Sequence, residues 1–479
     1  MLLASRVASA QVDSLIVDWT AQTMVSHSTP TLQVVVNPPL RRGSSIHDPT
    51  FAALKALGCD YVRYVPWLPY PRLGVAELEP PSGQKTSWDF SVIDPMTLDF
   101  LHATEGHSVI LNFSTIPQWM YKTEKPVTYP SNPDSVFWNY TQGSVPNDSS
   151  YQEIAKYYGR LYSWYTQGGF TDELGQRHTS GYHFNIPYWE VLNEVDFEHG
   201  NSVESYTKLY DAVVGEIKKI SPGTKFVGMA LADPNRPEWF EYFLNPKNHK
   251  PGIPVDMISY HFYAIGGFPQ GTGIMQYTFF DQADGFLRVV RFIDNIRNRL
   301  SPSTKTTIDE IGSILSNDAG PMGDSIPGDY FNLSGATYAY VFLGLTRLGI
   351  DVIGESQLVG YPTQYPSVSM MDWKNGKPNA RYWILKLIKD NLGAGNTLVN
   401  ASVSRGDELA VQGFLTKSGK RILLINKTKQ TVKLKFPPSF NQAKLTLVDP
   451  STGDNEPVAA SIGTGSIDIK PFAVGIIAL

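Results

Sequence analysis

Two glutamates in this chain stand where short apolar runs end: Glu194 closes "YWEVLNE" and Glu310 sits within "TIDEIGS". Polar side chains bunched at the end of a buried strand cost desolvation energy unless something there uses them. Two carboxyl groups on opposite sides of a bound sugar are what cleavage of a glycosidic bond requires, one protonating the leaving oxygen while the other attacks or activates water. On this reading Glu194 is the proton donor and Glu310 the nucleophile.

Further polar residues end neighbouring apolar runs: Arg63 in "YVRYV", Asn193 directly before Glu194, and His261 and Tyr263 in "SYHFY". Arg63 and His261 would surround Glu310 with donors and keep it ionised, and Tyr263 would donate its hydroxyl to the same carboxylate. Asn193 is placed to bond the sugar's 2-hydroxyl or its equivalent, a contact that strengthens as the oxocarbenium-like state forms. Glu190 shares the parity of Glu194 but lies deeper, as an interior carboxylate in a hydrogen-bond network. Asp309 points away from Glu310 if the strand is regular. Asp196, Glu198 and His199 either line the substrate cleft or solvate a loop, and the loop is the favoured reading. Trp67, Tyr70, Trp88, Trp119, Trp138 and Phe262 follow strands, and such rings stack on the apolar faces of sugars. Trp373 offers an aromatic floor to the same cleft, and the long stretch from Pro117 to Ser150 would shape it.

The elements that must hold these residues are legible as an alternation of β-branched runs with helical periodicity. Strand candidates are "TLQVVVN", "DYVRYVPW", "HSVILNFST", "YWEVLNE", "KFVGMAL", "VDMISYHFY", "KTTIDEIGS" and "IDVIGESQLVG". Between them run helices such as "DPTFAALKALG", opened by Asp48-Pro49 and closed by Gly58, "SVESYTKLYDAVVGEIKKISPG" and "DGFLRVVRFIDNIRNRL". The glycine-rich "YAIGGFPQGTGIMQYTFF" reads as a loop after the sixth strand. The pattern predicts an α/β fold, a (β/α)₈ TIM barrel, whose chemistry sits at the C-terminal ends of its strands. An open doubly wound sheet would carry a glycine-rich phosphate turn after its first strand, where this chain has "NPPLRRG". From about Gly395 the texture becomes strict alternation, as in "QTVKLKF", which predicts a β-sandwich. The expected division is a signal remnant over 1–10, an N-terminal strand joining the sandwich over 11–30, the barrel over 31–393 and the sandwich over 394–479.

Bulk composition narrows the classes. The 479 residues are 42% apolar and 12% aromatic, enough to bury a core without staples. Lys and Arg total 40 against 45 acidic residues, with no basic stripe to track phosphates, so nucleic acid is not an expected partner. Cys59 is the only cysteine, which excludes an intrachain disulfide and a thiolate metal cluster, and its apolar setting reads as a small buried thiol. The N-terminus is too short and polar for a membrane span, while Ala8-Ser9-Ala10 resembles the end of a secretory signal. Sequons at Asn112, Asn139, Asn147, Asn332, Asn400 and Asn426 fit a secreted, N-glycosylated chain.

Taken together, "WEVLNE", "SYHFY", "TIDEIGS" and Arg63 in "YVRYV" resemble the strand-four, strand-six, strand-seven and strand-two motifs of the clan A retaining glycoside hydrolases. Within that clan the likeness is greatest to glycoside hydrolase family 39, which includes β-xylosidases and α-L-iduronidases. "ESQLVGYPTQYPSVSMMDWKNGKPNARYW" is similar instead to the tail of family 79, the heparanase and β-glucuronidase group. The resemblance implies a retaining double displacement on an oligo- or polysaccharide, Glu194 acting as acid and then base, Glu310 as nucleophile, with no cofactor and no metal. A metal-dependent hydrolase would cluster its histidines, and the nine here are scattered with no His-Glu-x-x-His. A serine hydrolase would show Gly-x-Ser-x-Gly, which is missing. The competing class is a noncatalytic carbohydrate-binding barrel, in which Gln at position 194 or 310 would leave function intact.

Overall fold

The computed structural model describes every residue except 1–12, 126–127, 141–142, 268, 317, 319–325, 363 and 464. The signal-like Ala8-Ser9-Ala10 therefore lies outside the described residues. Strand β1 (Asp13–Val25) belongs to the C-terminal sheet, and β2 (Thr29–Val35) opens the barrel. The barrel continues through β3 (Val62–Val65) and β4 (Val109–Leu111). A surface hairpin, β5 (Gly169–Thr171) and β6 (Arg177–Thr179), intervenes before β7 (Tyr188–Glu190), β8 (Lys225–Leu231), β9 (Met257–Ile265), β10 (Lys305–Ile314) and β11 (Val352–Glu355). The eight barrel strands close in the order β10-β11-β2-β3-β4-β7-β8-β9, all parallel. They read as near-continuous apolar runs because helices cover the outer face and packed side chains fill the inside. β10, for example, is buried from Thr306 to Ser313.

Register then decides which side chains meet. Glu310 lies opposite His261 and Gly312 opposite Tyr263 in the β10–β9 pair, while Gln33 lies opposite Arg63 between β2 and β3. Between Thr307 and Glu310 the register with β9 slips by one residue, so β10 is bulged at Ile308 and Asp309. A bulge re-aims the side chains on either side of it. The expectation that Asp309 faces away from Glu310 rested on a regular strand, and it does not hold.

The helix Thr272–Leu300 starts a dozen residues before "DGFLRVVRFIDNIRNRL" and absorbs "GIMQYTFF", the stretch expected to be a loop. Met275, Phe279, Ala283, Phe286, Val290 and Ile293 form one buried stripe along it, which outweighs the helix penalty of Gly285.

Beyond the barrel come β12 (Thr397–Val403), β13 (Leu409–Thr416), β14 (Gly419–Asn426), β15 (Val432–Lys435), β16 (Lys444–Val448), β17 (Ala459–Ser461), β18 (Ser466–Ile469) and β19 (Val474–Ala478). With β1 they hydrogen-bond into one curled sheet of nine strands, ordered β17-β16-β19-β14-β13-β12-β1-β15-β18. Leu409, Val411, Ile422, Leu424, Val432 and Leu434 fill its own core. Phe414, Leu423, Ile425, Val474 and Ile476 point the other way and join the core of the barrel. Arg347 fastens the two parts by donating to the Gln412 side chain at 2.9 Å and the Val411 carbonyl at 3.0 Å.

Asn112, Asn332 and Asn426 are buried, so three of the sequons have no surface on which to carry a glycan. Asn139, Asn147 and Asn400 are exposed. No helix among the described residues is long and apolar enough to cross a membrane.

Candidate active site

At the C-terminal mouth of the barrel lies a cavity of about 440 Å³, lined by residues that include Asn193, Glu194, Glu198, Tyr263 and Glu310. The sequence brings Glu194 there by breaking β7 sharply. Leu192 and Glu194 both have positive φ, 65° and 39°, a region that side chains enter only when their surroundings impose it. The amides of Phe197 and Glu198 both donate to the Glu194 carbonyl at 2.8 Å, closing the turn beneath the carboxyl.

Glu310 is gripped from two sides. Arg63 Nη1 donates to its Oε1 at 2.6 Å and the Tyr263 hydroxyl donates to its Oε2 at 2.6 Å. Tyr263 also lies 2.6 Å from Ser356 Oγ, which accepts in turn from Gln33 Nε2 at 2.7 Å. Gly312 makes room for this ring, since a Cβ there would stand 2.9 Å from Tyr263 Cε1.

Arg63 is fully buried and spends its donors on Glu310, Glu190, Gln33 and Asn193, with Asp309 at 3.5 Å from Nε. Burial opposes its charge, but the carboxylates of Glu190, Asp309 and Glu310 together hold it firmly protonated. Glu190 is the interior carboxylate expected, accepting from Arg63, Asn112 and Ser259. Burial pushes its carboxyl up against the pull of Arg63.

His261 bridges the two candidate catalytic acids, with Nδ1 3.0 Å from Glu194 Oε1 and 3.6 Å from Glu310 Oε2. Its Nε2 lies 3.4 Å from Asp309 Oδ1, a contact that the bulge in β10 creates. Burial works against charging the ring, yet Glu310, Asp309 and Glu194 hold its pKa well above the ordinary value. Asp309 is held below the usual carboxylate range because Arg63 and His261 outweigh the burial that would raise it.

Donor atoms of Glu194, His261 and Glu310 all lie within 4.8 Å of one another, a span that three metal ligands share. Here a guanidinium and an imidazolium already supply the positive charge, and both Glu310 oxygens accept hydrogen bonds, so the set is organised around a held carboxylate. Glu194 keeps 18% of its side chain exposed against 9% for Glu310. Of the two carboxyls, Glu194 is the more accessible from solvent.

Of the aromatic candidates, Trp67 and Trp138 line the cavity and meet edge to face with ring centroids 5.2 Å apart. Phe197 and Tyr365 join them, and neither was singled out from sequence. Phe197 is 77% exposed at the rim. Trp88 stacks on Tyr157, Phe262 stacks on Phe286, and Tyr70 is fully buried, so these rings serve the core. Trp373 sits in the turn Asp372–Lys377 and packs against the barrel's outer core, away from the cavity lining. Asp196 accepts from the amides of Ala232 and Asp233, a loop role. Glu198 and His199 are not solvated, since their side chains are 3% and 4% exposed. A larger open groove of about 740 Å³ runs alongside, between Asp233–Pro237 and the helix Thr272–Leu300, and shares His261 and Tyr263 with the cavity.

Trp119 also lies away from the cavity, its indole donating to the Glu77 carbonyl at 2.9 Å. Glu77 is fully buried beside Glu173. Burial first, then Glu173, push its carboxyl from 4.5 up to about 9. The unfolded chain therefore releases this proton before the folded one, and stability falls as pH rises from about 4.5 towards 9. Glu77→Gln, neutral at every pH, should stabilise the protein by about 1–3 kcal/mol at pH 8 and change little at pH 4. Calorimetric Tm measured across that range checks this, and parallel profiles for the two proteins would refute it.

No protein-family model matches the chain, and no curated protein matches it in sequence. Solved structures do match in fold. A GH51 arabinofuranosidase from Xanthomonas axonopodis pv. citri superposes with a TM-score of 0.63 at 14% identity, covering 97% of this chain and 99% of that one. A GH39 β-xylosidase from Caulobacter crescentus gives 0.60 at 14%, covering 98% and 100%. A GH30 endoxylanase from Clostridium papyrosolvens C71 gives 0.58 at 12%, covering 98% and 99%. The chain shares with these glycoside hydrolases a fold that extends over its whole length, barrel and C-terminal β-rich domain together.

Proposed function

We propose that this protein is a retaining glycoside hydrolase of clan A, most like family 39, that cleaves an oligo- or polysaccharide by double displacement. The observation carrying the proposal is the pair Glu194 and Glu310, with facing oxygens no more than 4.8 Å apart at the mouth of the barrel. Retaining enzymes hold their two carboxyl groups roughly 5 to 5.5 Å apart, whereas inverting ones leave roughly 6.5 to 9.5 Å for a water.

In the first step Glu310 attacks the anomeric carbon while Glu194 gives its proton to the departing oxygen. Arg63 and Tyr263 hold Glu310 by one hydrogen bond to each of its oxygens and keep it aimed until the bond forms. In the second step Glu194, now a carboxylate, takes a proton from the water that attacks the anomeric carbon, and Glu310 leaves. Asn193 accepts from Arg63 through Oδ1 and donates one amide hydrogen to Glu198, which leaves the second for a sugar hydroxyl in the cavity.

The sugar is expected to be uncharged. Among the described residues no lysine or arginine lines the cavity, and three of its lining side chains are carboxyls. A uronide carboxylate would find no cationic partner there, which argues against the family 79-like reading as a β-glucuronidase. Export with N-glycosylation is part of the proposal and draws support from the exposed Asn139, Asn147 and Asn400.

The test is inactivation by 2-deoxy-2-fluoro glycosides bearing an activated leaving group, chosen from a panel of aryl xylosides, arabinosides, glucosides and glucuronides, followed by peptide mapping. Covalent label is expected on Glu310, from a neutral sugar. Label on another residue, or turnover with inverted anomeric configuration, would refute the mechanism, and a noncatalytic barrel would turn over none of the panel.

A further inference from the structure

The cavity wall holds a third carboxyl that the double displacement does not use. Glu198 Oε1 accepts from Trp67 Nε1 at 2.6 Å and from Asn193 Nδ2 at 2.9 Å. One oxygen thus ties the wall that follows β3 to the end of β7. Asn193 is gripped at both ends of its amide, with Oδ1 held by Arg63 at 2.6 Å, so only the second amide hydrogen is left to offer a substrate. Trp67 carries Trp138 and Tyr365 against it at ring centroid distances of 5.2 and 6.5 Å, so its anchor also sets that aromatic cluster.

The other oxygen, Oε2, is buried without a hydrogen-bond partner and lies 3.8 Å from His199 Nε2, itself unpartnered. Burial, and after it the charge of Glu194, push the Glu198 carboxyl well above its ordinary range. Burial likewise pushes the His199 imidazole down to about 4. Burial thus favours the neutral form of both groups, and Glu198 acts through Oε1 as an acceptor.

We propose that Glu198 is a positioning residue of this active site, fixing through its hydrogen bonds the Asn193 amide and the Trp67 ring against the sugar at the cleaved bond. The inference rests on the hydrolase reading above. Misplacing reacting groups by about 1 Å can cost about 10²-fold in rate, and loss of the Glu198 acceptor frees two side chains at once.

The experiment compares Glu198→Leu and Glu198→Gln with the wild-type enzyme on an aryl glycoside and its 2-deoxy analogue. Glu198→Leu should lower kcat/KM on the parent glycoside by about 10²-fold and shrink the preference for the parent over the 2-deoxy sugar, because the Asn193 amide is no longer held. Glu198→Gln offers the same acceptor oxygen without a charge, so it should recover most of that loss and keep the wild-type pH profile. If Glu198→Leu keeps the wild-type 2-hydroxyl preference while only its Tm falls, Glu198 is merely structural and the proposal is overturned. Glu198→Gln behaving as badly as Glu198→Leu overturns it as well. Should the leucine variant not fold, Glu198→Asp, whose shorter side chain cannot reach both partners, is read by the same criteria. A wild-type enzyme that cleaves no glycoside of the panel brings down the hydrolase reading and this inference with it, whereas active enzyme with unaffected variants brings down this inference alone.

Discussion

Glu310→Gln is expected to abolish turnover, with kcat/KM down at least about 10⁴-fold on every glycoside the wild-type enzyme cleaves, and to leave the protein folded. The amide keeps the shape of the carboxylate and an acceptor for Arg63, but it cannot form the glycosyl ester. Arg63 remains flanked by Glu190 and Asp309, so its buried charge is not stranded, and the crowding of negative charge opposite Glu194 is relieved. A small change in Tm beside a complete loss of activity is therefore the expected signature. A spectroscopic one accompanies it. Burial depresses the His261 pKa, and the Glu310 charge is the largest influence raising it, so the variant's His261 should titrate at lower pH than the wild type's in ¹⁵N-detected NMR. Glu310→Gly supplied with azide should regain activity on activated glycosides and form a glycosyl azide of inverted configuration. Retention of more than about one per cent of wild-type activity by the glutamine variant, some 2.7 kcal/mol of barrel-mouth chemistry unaccounted for, would remove Glu310 from the role of nucleophile.

Much of this site was readable before the fold because the barrel imposes a rule on sequence: apolar runs fill strands, and the polar residue at the end of each run faces the mouth. Arg63, Asn193, Glu194, His261, Tyr263 and Glu310 are each such an end residue, and the structure gathers them within one network of hydrogen bonds and ion pairs. What the pattern could not supply was the local departure from regularity. A one-residue slip in β10 turned Asp309 towards His261, and no composition cue marks a bulge between Ile308 and Glu310. Glu198 looked like loop solvation because its neighbours are Asp196 and His199. Its burial follows from the left-handed turn at Glu194, which folds the next four residues back under the strand end. Aromatic residues were the least legible class. Trp67 and Trp119 both follow strands, yet one meets Glu198 in the cavity wall and the other meets the Glu77 carbonyl outside it, a difference set by loop paths rather than by residue type. In the C-terminal domain the alternation of Val432, Lys433, Leu434 and Lys435 announced a sheet with one wet face. Alternation constrains faces and leaves strand order open, and the strands join edge to edge through β1 into one sheet.

Glu194→Ala should instead produce a loss that depends on the leaving group. With an alkyl or sugar leaving group, departure needs a proton, and removal of the general acid is expected to cost about 10³- to 10⁴-fold in kcat/KM. A dinitrophenolate departs without protonation, so glycosylation of Glu310 on that substrate should slow by about tenfold or less, while deglycosylation, deprived of its base, becomes rate-limiting. The ester on Glu310 then accumulates, seen as a burst of phenolate followed by a slow steady state and as a mass increase of the intact protein. Azide, which needs no base, should accelerate the second step and trap a glycosyl azide of retained configuration, the opposite stereochemistry from that expected at position 310. The geometry requires this contrast, because His261 and the Glu194 turn are held by contacts that survive the substitution: Asp309 faces His261 Nε2 and the Phe197 and Glu198 amides bond the backbone carbonyl of residue 194. The glycosylated Glu310 would therefore keep its place beside Arg63 and Tyr263 while waiting for a nucleophile. Equal losses on dinitrophenyl and alkyl glycosides would mean that Glu194 orients the sugar rather than passing a proton, and its position across from Glu310 would then need another explanation.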